Sequence, residues 1–204
     1  MKVLAHRGWW QSSQEKNSEV AIRRALDGGF GLETDLRDQG GEVVISHDVP
    51  SAKAMLFSDF VGICNEYNHE MPIALNVKSD GLQKLIYPIV SQLKRPSFFF
   101  DMSVPDTLGY VRNGLPVFTR ESEYEPHPAL YSEAEGVWMD AFLDDWISTA
   151  SIQKHINAGK KVCLVSPELH SRPYESVWDS WQPIRQEQVM ICTDYPDLAE
   201  KYWK

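Results

Sequence analysis

The sequence predicts an α/β protein built around a parallel sheet. Short apolar runs that are typical of strands alternate with helical patterns along all 204 residues. About eight strands result if the run at 42–46 is counted as a hairpin partner. This alternation fits either a closed barrel or a doubly wound sheet. A closed barrel of eight strand-helix units usually takes about 250 residues, so this chain would need short loops or missing helices.

The N-terminal quarter contains the best-defined elements. A strand is predicted over Lys2–Ala5, and a helix over Asn17–Leu26 with Asn17 as the expected N-cap and a glycine pair at its end. The next strand is predicted over Gly31–Leu36. A second glycine pair then predicts a turn into Glu42–Ser46, so these two strands are expected to form a hairpin.

The rest of the chain continues the alternation. Pro126 and Pro128 interrupt the stretch 121–135, which therefore predicts a loop and leaves one helix position empty. The other strands are predicted over Pro72–Val77, Phe98–Met102, Pro116–Phe118, Gly136–Met139, Lys161–Val165 and Gln188–Cys192. The other helices are predicted over Leu82–Leu93, Asp106–Arg112, Ser148–Asn157 and Asp197–Tyr202. A helix face is also expected at Val177, Trp178 and Trp181.

Composition and charge exclude several classes of protein. With 43% apolar and 24% charged residues, residues 1–204 are expected to form a single folded domain. A net charge of −9 argues against sequence-independent binding to nucleic acid, which needs a basic face. The sequence contains no run of 18 apolar residues, so no transmembrane helix is predicted. The start of the chain lacks the apolar core of a signal peptide, and the three cysteines form no CxxC motif. A cytoplasmic protein with reduced thiols is therefore expected, and its oligomeric state is left open.

Reactive side chains collect where the predicted strands end. Glu33 and Asp35 lie two residues apart on one strand, so they share a face. Asn76 and Lys78 have the same spacing on the next strand. The sequences His6-Arg7 and His47-Asp48 follow two other strands. Because ligand sites of parallel α/β folds lie at the carboxyl ends of the strands, these residues are expected to form one site.

The residue types suit the cleavage of a phosphodiester. Two carboxylates suit a hard cation such as Mg²⁺ or Ca²⁺, and the cations of Arg7 and Lys78 suit a phosphate. His6 and His47 titrate near neutral pH and suit a general acid and base. Cleavage of a phosphodiester needs all three functions.

The same residues resemble a known family, the glycerophosphodiester phosphodiesterases, which belong with the phosphatidylinositol-specific phospholipase C-like phosphodiesterases. The dense match covers residues 2–48, and the remainder is similar in topology only. The order of His-Arg, Glu-x-Asp and His-Asp is fairly specific. The matching segments are 5–8, 17–18, 25–29, 32–37, 43–48 and 193–196.

The resemblance implies a compact (β/α)₈ TIM barrel, with one or more helices missing or shortened. It implies that His6 and His47 are the acid and base, and that Arg7 and Lys78 bind the phosphate of a small phosphodiester. Glu33 and Asp35 would hold one divalent cation. In the family, a hydroxyl next to the phosphodiester is thought to attack it, and the resulting cyclic phosphate is then hydrolysed.

Departures from the family pattern keep two alternatives open. Asn76 stands where the family usually has a metal-binding Glu, so a weakly held cation with Asn76 as the third ligand is expected. Asp101 or Asp140 would restore the missing charge if either faced inward. Lys16 stands where the family commonly has Glu, and the usual insertion after the His-Asp pair is reduced or absent. The alternatives are a barrel that binds a phosphorylated ligand with little turnover, and a metal-independent lyase that releases a cyclic phosphate.

Aromatic residues near the predicted site are candidates for contact with the substrate. Trp9 and its neighbour Trp10 follow the His-Arg-Gly turn, and either would stack on a sugar or lipid group if it faced the pocket. Trp138 and Asp140 share one strand face and are candidates to line the pocket.

Overall fold

A computed structural model of the chain describes residues 1–68 and 70–203. Within these residues the chain forms ten strands and seven α-helices. The strands are β1 (Lys2–His6), β2 (Gly31–Gln39), β3 (Glu42–Ile45), β4 (Met55–Leu56), β5 (Ile73–Val77), β6 (Ser97–Phe100), β7 (Phe118–Glu121), β8 (Gly136–Met139), β9 (Lys161–Val165) and β10 (Val189–Thr193). The helices are α1 (Glu19–Asp27), α2 (Phe57–Asn65), α3 (Gln83–Val90), α4 (Val104–Arg112), α5 (Thr149–Asn157), α6 (Glu175–Trp181) and α7 (Pro196–Trp203).

Eight parallel strands form the predicted TIM barrel. Parallel ladders connect β6, β5, β2, β1, β10, β9, β8 and β7 in that order. Between β6 and β7, in the part of the chain that is described, pairing is reduced to one bridge from Phe99 to Val117. There the N–H of Phe99 donates to the carbonyl of Pro116 at 2.8 Å. The doubly wound alternative is excluded, because the first strand, β1, pairs with the last strand, β10, and the bridge from Phe99 to Val117 joins the two ends of the series.

The hairpin predicted from the glycine pair is present. β2 continues beyond the barrel and pairs with β3 in antiparallel register, and β4 adds to β3. Gly40 and Gly41 have φ values of 58° and 91°, which side-chain-bearing residues rarely adopt. The hairpin places residues 46–48 beside the carboxyl ends of the barrel strands.

Helices follow seven of the eight barrel strands, as the alternation predicts. The exception lies after β7, where residues 122–135 are all described and form turns, bends and one isolated bridge between Ser122 and Glu125. The position predicted to be empty is therefore empty. One helix was not expected from the sequence: α2 follows the hairpin, and its buried residues Phe57, Phe60, Val61 and Cys64 have helical spacing.

The N-cap expected at Asn17 is wrong. Ser18 caps α1, and its hydroxyl accepts from the N–H of Ala21 at 3.3 Å. Asn17 has a positive φ of 61°, and its side chain accepts from the Thr34 hydroxyl and donates to Asp35, both at 2.8 Å. Long-range bonds to β2 therefore determine the conformation of Asn17.

Two apolar layers stabilise the barrel. The larger one lies between the strands and the surrounding helices, and the smaller one fills the interior. Inside, Phe98 stacks on Phe118 with ring centres 3.7 Å apart, and Phe100 stacks on Trp138 at 3.9 Å. Since aromatic rings fill the interior, polar groups are confined to the ends of the strands.

Two expectations from composition can be compared with the structure. Cys64, Cys163 and Cys192 are buried free thiols, as predicted. Among the described residues, no helix has the length and apolar character needed to cross a bilayer. The cytoplasmic location stays a prediction.

Candidate active site

A tight turn after β1 positions the first two site residues. Arg7 has a φ of 55°, a left-handed conformation that is unusual for a residue with a side chain. Gly8 follows with a φ of 85°, and a Cβ atom there would lie 2.8 Å from the carbonyl carbon of Ala21. The turn therefore needs glycine at position 8. It directs the Arg7 N–H to the Glu33 carboxylate at 3.2 Å.

The two carboxylates on β2 are deeply buried. Glu33 is 1% exposed and Asp35 is fully buried. Burial, together with the nearby charge of Asp35, raises the pKa of Glu33 to about 8. Two cations lie against Asp35: Arg7 Nε is 3.2 Å from Oδ2, and Lys78 Nζ is 3.6 Å from Oδ1.

Asn76 and Lys78 on β5 lie directly beside the β2 carboxylates. The register pairs Asn76 with Asp35. Asn76 is 7% exposed, and its Oδ1 atom has no hydrogen-bond partner among the described residues. Asp35 Oδ1 is also without a hydrogen bond there. Buried oxygens of this kind are suited to an electropositive partner.

Lys78 also connects this region to the next strands. Its ammonium lies 3.6 Å from Asp101, which follows β6 and has a φ of 68°. Arg120, on β7, donates to Asp101 at 2.9 Å. Asp101 therefore lies near the site but is neutralised by two cations.

A carboxylate holds the ring of His6. His6 Nδ1 lies 2.7 Å from Asp194 Oδ1, and Nε2 lies 3.9 Å from Glu33. Because an ionised carboxylate only accepts, Nδ1 carries the proton and Nε2 keeps its lone pair. Burial lowers the pKa of His6 and outweighs the opposing effect of Asp194, so the ring is neutral at neutral pH.

Buried hydrogen bonds in turn fix the position of Asp194. Its N–H donates to Glu168 at 3.0 Å, and the Thr193 hydroxyl donates to the same oxygen. The second Glu168 oxygen accepts from Ser166, whose hydroxyl accepts from the indole of Trp178 at 2.8 Å. This chain of contacts connects the His6 ring to the core.

The second histidine lies on the hairpin side of the site. His47 follows β3, its side chain is 39% exposed, and its Nδ1 lies 2.9 Å from Asp48. It is thus far more accessible than His6, whose side chain is 13% exposed.

One cleft, with a volume of about 340 Å³, brings most of the predicted residues together. Asp35 is buried and does not line it, but contacts Arg7 and Lys78, which do. Trp9 is outside the lining and packs on Phe30 with ring centres 5.4 Å apart, and the neighbouring Trp10 lies beside Lys16. The predicted residues that line the cleft are His6, Arg7, Glu33, His47, Asn76, Lys78, Trp138 and Asp140.

The far side of the cleft contains residues that the sequence did not single out. His170 Nε2 lies 2.6 Å from Asp140, and the His170 ring packs against Phe142 at 4.8 Å. Asp140 is therefore paired with His170, and Asp101 is paired with Lys78 and Arg120. Further lining residues are Phe100, Asp101, Arg120, Phe142, Val165, Leu169 and His170.

These contacts define the chemistry that the cleft supports. It combines a neutral imidazole oriented by a carboxylate, a more exposed imidazole, two cations and buried oxygen donors. That combination suits proton transfer to and from the oxygens of a bound anion. Among the described residues, no group of three or more His, Cys, Asp or Glu side chains has the arrangement of a metal site.

Comparison with solved structures identifies proteins that share this fold. The chain has the same barrel fold as two solved glycerophosphodiester phosphodiesterases. A glycerophosphodiester phosphodiesterase from Agrobacterium tumefaciens superposes with a TM-score of 0.70 at 14% identity, over 97% of this chain and 98% of that chain. One from Parabacteroides distasonis gives a TM-score of 0.66 at 16% identity, over 99% and 96%.

A third structure shares this fold. The Ca²⁺-dependent phosphatidylinositol-specific phospholipase C from Streptomyces antibioticus superposes with a TM-score of 0.63 at 14% identity, over 100% of this chain and 96% of that chain. No protein-family model and no curated protein matches the sequence. At these identities the likeness shows a shared fold.

Proposed function

We propose that this protein is a phosphoric diester hydrolase of the glycerophosphodiester type. The observation that carries the proposal is the single cleft lined by His6, Arg7, His47 and Lys78 at the carboxyl ends of the barrel strands. The products would be a phosphomonoester and an alcohol. The shared barrel supports the proposal, since three of its structural neighbours are phosphodiesterases or a phospholipase C.

In this proposal His6 is the general base. Asp194 holds the proton on Nδ1, so Nε2 is free to accept a proton from the attacking hydroxyl. The lowered pKa of His6 keeps the ring neutral and ready to accept at neutral pH. His47, on the exposed side, protonates the departing oxygen. A cyclic phosphate forms when the attacking hydroxyl belongs to the substrate, and water then opens it with the two histidines exchanging roles.

Arg7 and Lys78 supply the positive charge for the phosphate. Both line the cleft, and both side chains are 21% exposed. Their contacts to Asp35 hold them beside the cleft before a ligand binds. The guanidinium of Arg7 provides paired N–H donors for the phosphoryl oxygens.

The oxygen donors also fit one weakly held divalent cation. Glu33, Asp35 and Asn76 would hold it. The observation that supports this fit is that the buried Oδ1 atoms of Asp35 and Asn76 have no hydrogen bond within the described residues. A bound Mg²⁺ or Ca²⁺ would stabilise negative charge on the phosphoryl oxygens. The set has two carboxylates and one neutral amide, so tight binding is not expected.

A second candidate mechanism uses no metal. Asp35 is neutralised by Arg7 and Lys78, so the protein's own cations provide the positive charge at the place where a cation would bind. This arrangement favours a lyase that stops at the cyclic phosphate. The two mechanisms share the histidines and differ in product and in metal dependence.

The test is a screen of phosphodiesters with and without Mg²⁺, Ca²⁺ and Mn²⁺, with products identified by phosphorus NMR. A linear phosphomonoester that forms only with metal supports the first mechanism, and a cyclic ester formed in the presence of a chelator supports the second. His6→Ala and His47→Ala should each lower kcat about 10²–10⁴-fold while circular dichroism stays unchanged. Binding without turnover of any diester would indicate a ligand-binding barrel instead.

A further inference from the structure

A second cavity adjoins the active-site cleft. This side groove has a volume of about 570 Å³ and lies between segments 13–19 and 45–55. Arg7 and His47 line both the side groove and the cleft, so the two spaces are neighbours that share these two side chains. If Arg7 holds the phosphate, one ester arm of the substrate enters the cleft and the other enters the side groove. The volume is enough for a small organic group beyond the phosphate.

The side groove contains positive charge that no described carboxylate neutralises. Lys16 and Lys53 line it, and neither forms an ion pair within the described residues. The ammonium of Lys16 is held 4.5 Å above the ring centre of Trp10.

The acidic side chains in the lining are outnumbered. Glu19 accepts from Arg23 at 2.7 Å, although Arg23 also binds Glu66, and Asp48 lies 2.9 Å from His47. The lining has three cationic side chains, Arg7, Lys16 and Lys53, against these two carboxylates, in a chain whose net charge is −9. Such a local excess of positive charge attracts anions.

We propose that the side groove binds a second anionic group, a phosphate monoester or a carboxylate, on one alcohol of the substrate. This proposal rests on the proposed function, because it uses the Arg7-bound phosphate as its reference point. The lining is mainly polar, with Ile45, Ala54 and Met55 as its apolar members. An acyl chain would need a continuous apolar wall, which these residues do not provide.

The test compares the binding of three diesters that differ only at the end of one alcohol. All three share the anionic phosphodiester. Glycerophosphoglycerol has no charge at the end of that alcohol and is called the neutral probe, its terminal phosphate ester carries a phosphate there, and glycerophosphoglycerate carries a carboxylate. Binding is measured by calorimetry on a His6→Ala background, with His6→Gln as a second background if the first is unfolded. The test variant is Lys16→Glu/Lys53→Glu, and the control is Lys84→Glu, an exposed lysine on α3.

We expect the charged probes to bind about tenfold or more tightly than the neutral probe, as for one charge-assisted contact. The double reversal should abolish this preference, whereas Lys84→Glu should retain it. The charged probe that binds more tightly identifies the preferred anion. Equal binding of all three probes, no binding of any, or a preference that survives the double reversal overturns the proposal. If wild type cleaves none of the probes but the lysine-dependent preference is present, the proposed function fails and the anion site stands.

Discussion

Asn76 is the residue that most affects the affinity of the proposed cation site. Its buried Oδ1 offers a neutral oxygen beside Asp35. Cation affinity depends on ligand charge as well as on oxygen number. Asn76→Glu should therefore lower the Kd for Ca²⁺ and Mg²⁺ by about an order of magnitude, measured by calorimetry.

Two results would contradict this prediction. If wild type binds as tightly as Asn76→Glu, another carboxylate already completes the site. If neither protein binds a cation, Glu33 and Asp35 do not form a metal site and the metal-dependent mechanism is wrong. Asn76→Gln, which keeps the amide, is the control for added length.

Asp194 is expected to act through His6, as a positioning residue. Asp194→Asn removes the charge beside Nδ1, and the contact with Asp194 is what raises the pKa of His6 against the effect of burial. The pKa of His6 should then fall further, and the acid limb of the kcat profile should move to lower pH. Because the ring also loses its orientation, kcat should fall about 10–100-fold.

The pH profile separates this role from a purely structural one. A structural defect would lower kcat or stability without moving the acid limb. Asp197→Asn is the matched control, since Asp197 forms only a surface pair with Lys201 at 3.4 Å. An unshifted limb in Asp194→Asn would show that His6 is not the base.

Single residues of the site could be predicted where the sequence repeats a pattern. Alternation along a strand is enough to place Glu33 with Asp35, and Asn76 with Lys78, on a common face. Asp194 and Glu168 lie on separate segments. Asp194 contacts His6 because β10 pairs with β1, and Glu168 in turn accepts from the N–H of Asp194. Trp9 follows the His-Arg-Gly turn in sequence, but packing on Phe30 places it outside the cleft. Proximity of this kind depends on tertiary structure, which a local pattern does not contain.

At the scale of elements, the segment after β7 is held in place without a helix. Glu121 contacts the buried ring of His155 on α5, and the Tyr131 hydroxyl lies 2.9 Å from the other ring nitrogen. Glu123 accepts from the N–H groups of Phe142, Leu143 and Asp144 at 3.1, 2.9 and 3.1 Å. These polar contacts take the place of the apolar face that a helix would provide.

The Glu123 contacts predict a pH-dependent contribution to stability. Burial acts to raise the pKa of Glu123, but the backbone N–H bonds outweigh it and lower the pKa below its usual value of 4.5. The stabilisation is therefore present above pH 4.5 and is lost as the pH falls through the lowered pKa. Glu123→Gln should reduce the free energy of unfolding by about 1 kcal/mol at pH 7, and the difference should shrink in acid.

Urea denaturation at pH 7 and in acid checks this expectation. Glu42→Gln is the control, because Glu42 is an exposed residue of β3. A Glu123→Gln deficit that stays constant with pH would mean that the charge of Glu123 is unimportant.

Helices and strands were predictable where glycine or proline residues mark their ends. The glycine pairs and the proline-interrupted stretch correctly predicted the hairpin and the empty helix position. β7 starts at Phe118, two residues later than expected, because Pro116 has no N–H for a ladder. The spacing of the apolar residues in α2 was a usable signal, but Gly62 and the short segment weakened it.

For the whole molecule, the contact between β6 and β7 is expected to be the least protected part of the barrel. One bridge joins these strands, whereas β1 and β10 share a ladder of four residue pairs. Hydrogen exchange should therefore be faster for the amide of Phe99 than for those of Leu4 and Ile191. Measurement of native-state exchange by NMR tests this order, and equal protection on both sides would contradict it.

The alternation of strands and helices predicted a parallel α/β architecture, but not which strands pair with each other to close the barrel. The alternation leaves a doubly wound sheet possible, since both folds have the same local pattern. The pairing of β1 with both β2 and β10 distinguishes the barrel from the doubly wound sheet. The β1–β10 pairs join residues about 190 positions apart in the sequence. Among the sequence signals, only the resemblance to a family favours the barrel.

The aromatic interior of the barrel has a kinetic consequence. Because Phe98, Phe118, Phe100 and Trp138 fill the space beneath the cleft, no passage leads through the barrel to its other end. Whatever enters must leave by the same opening, and a retained product occupies the place of the next substrate. Inhibition by the phosphomonoester product should therefore be competitive, and its release would set the upper limit on turnover wherever the chemical steps are fast.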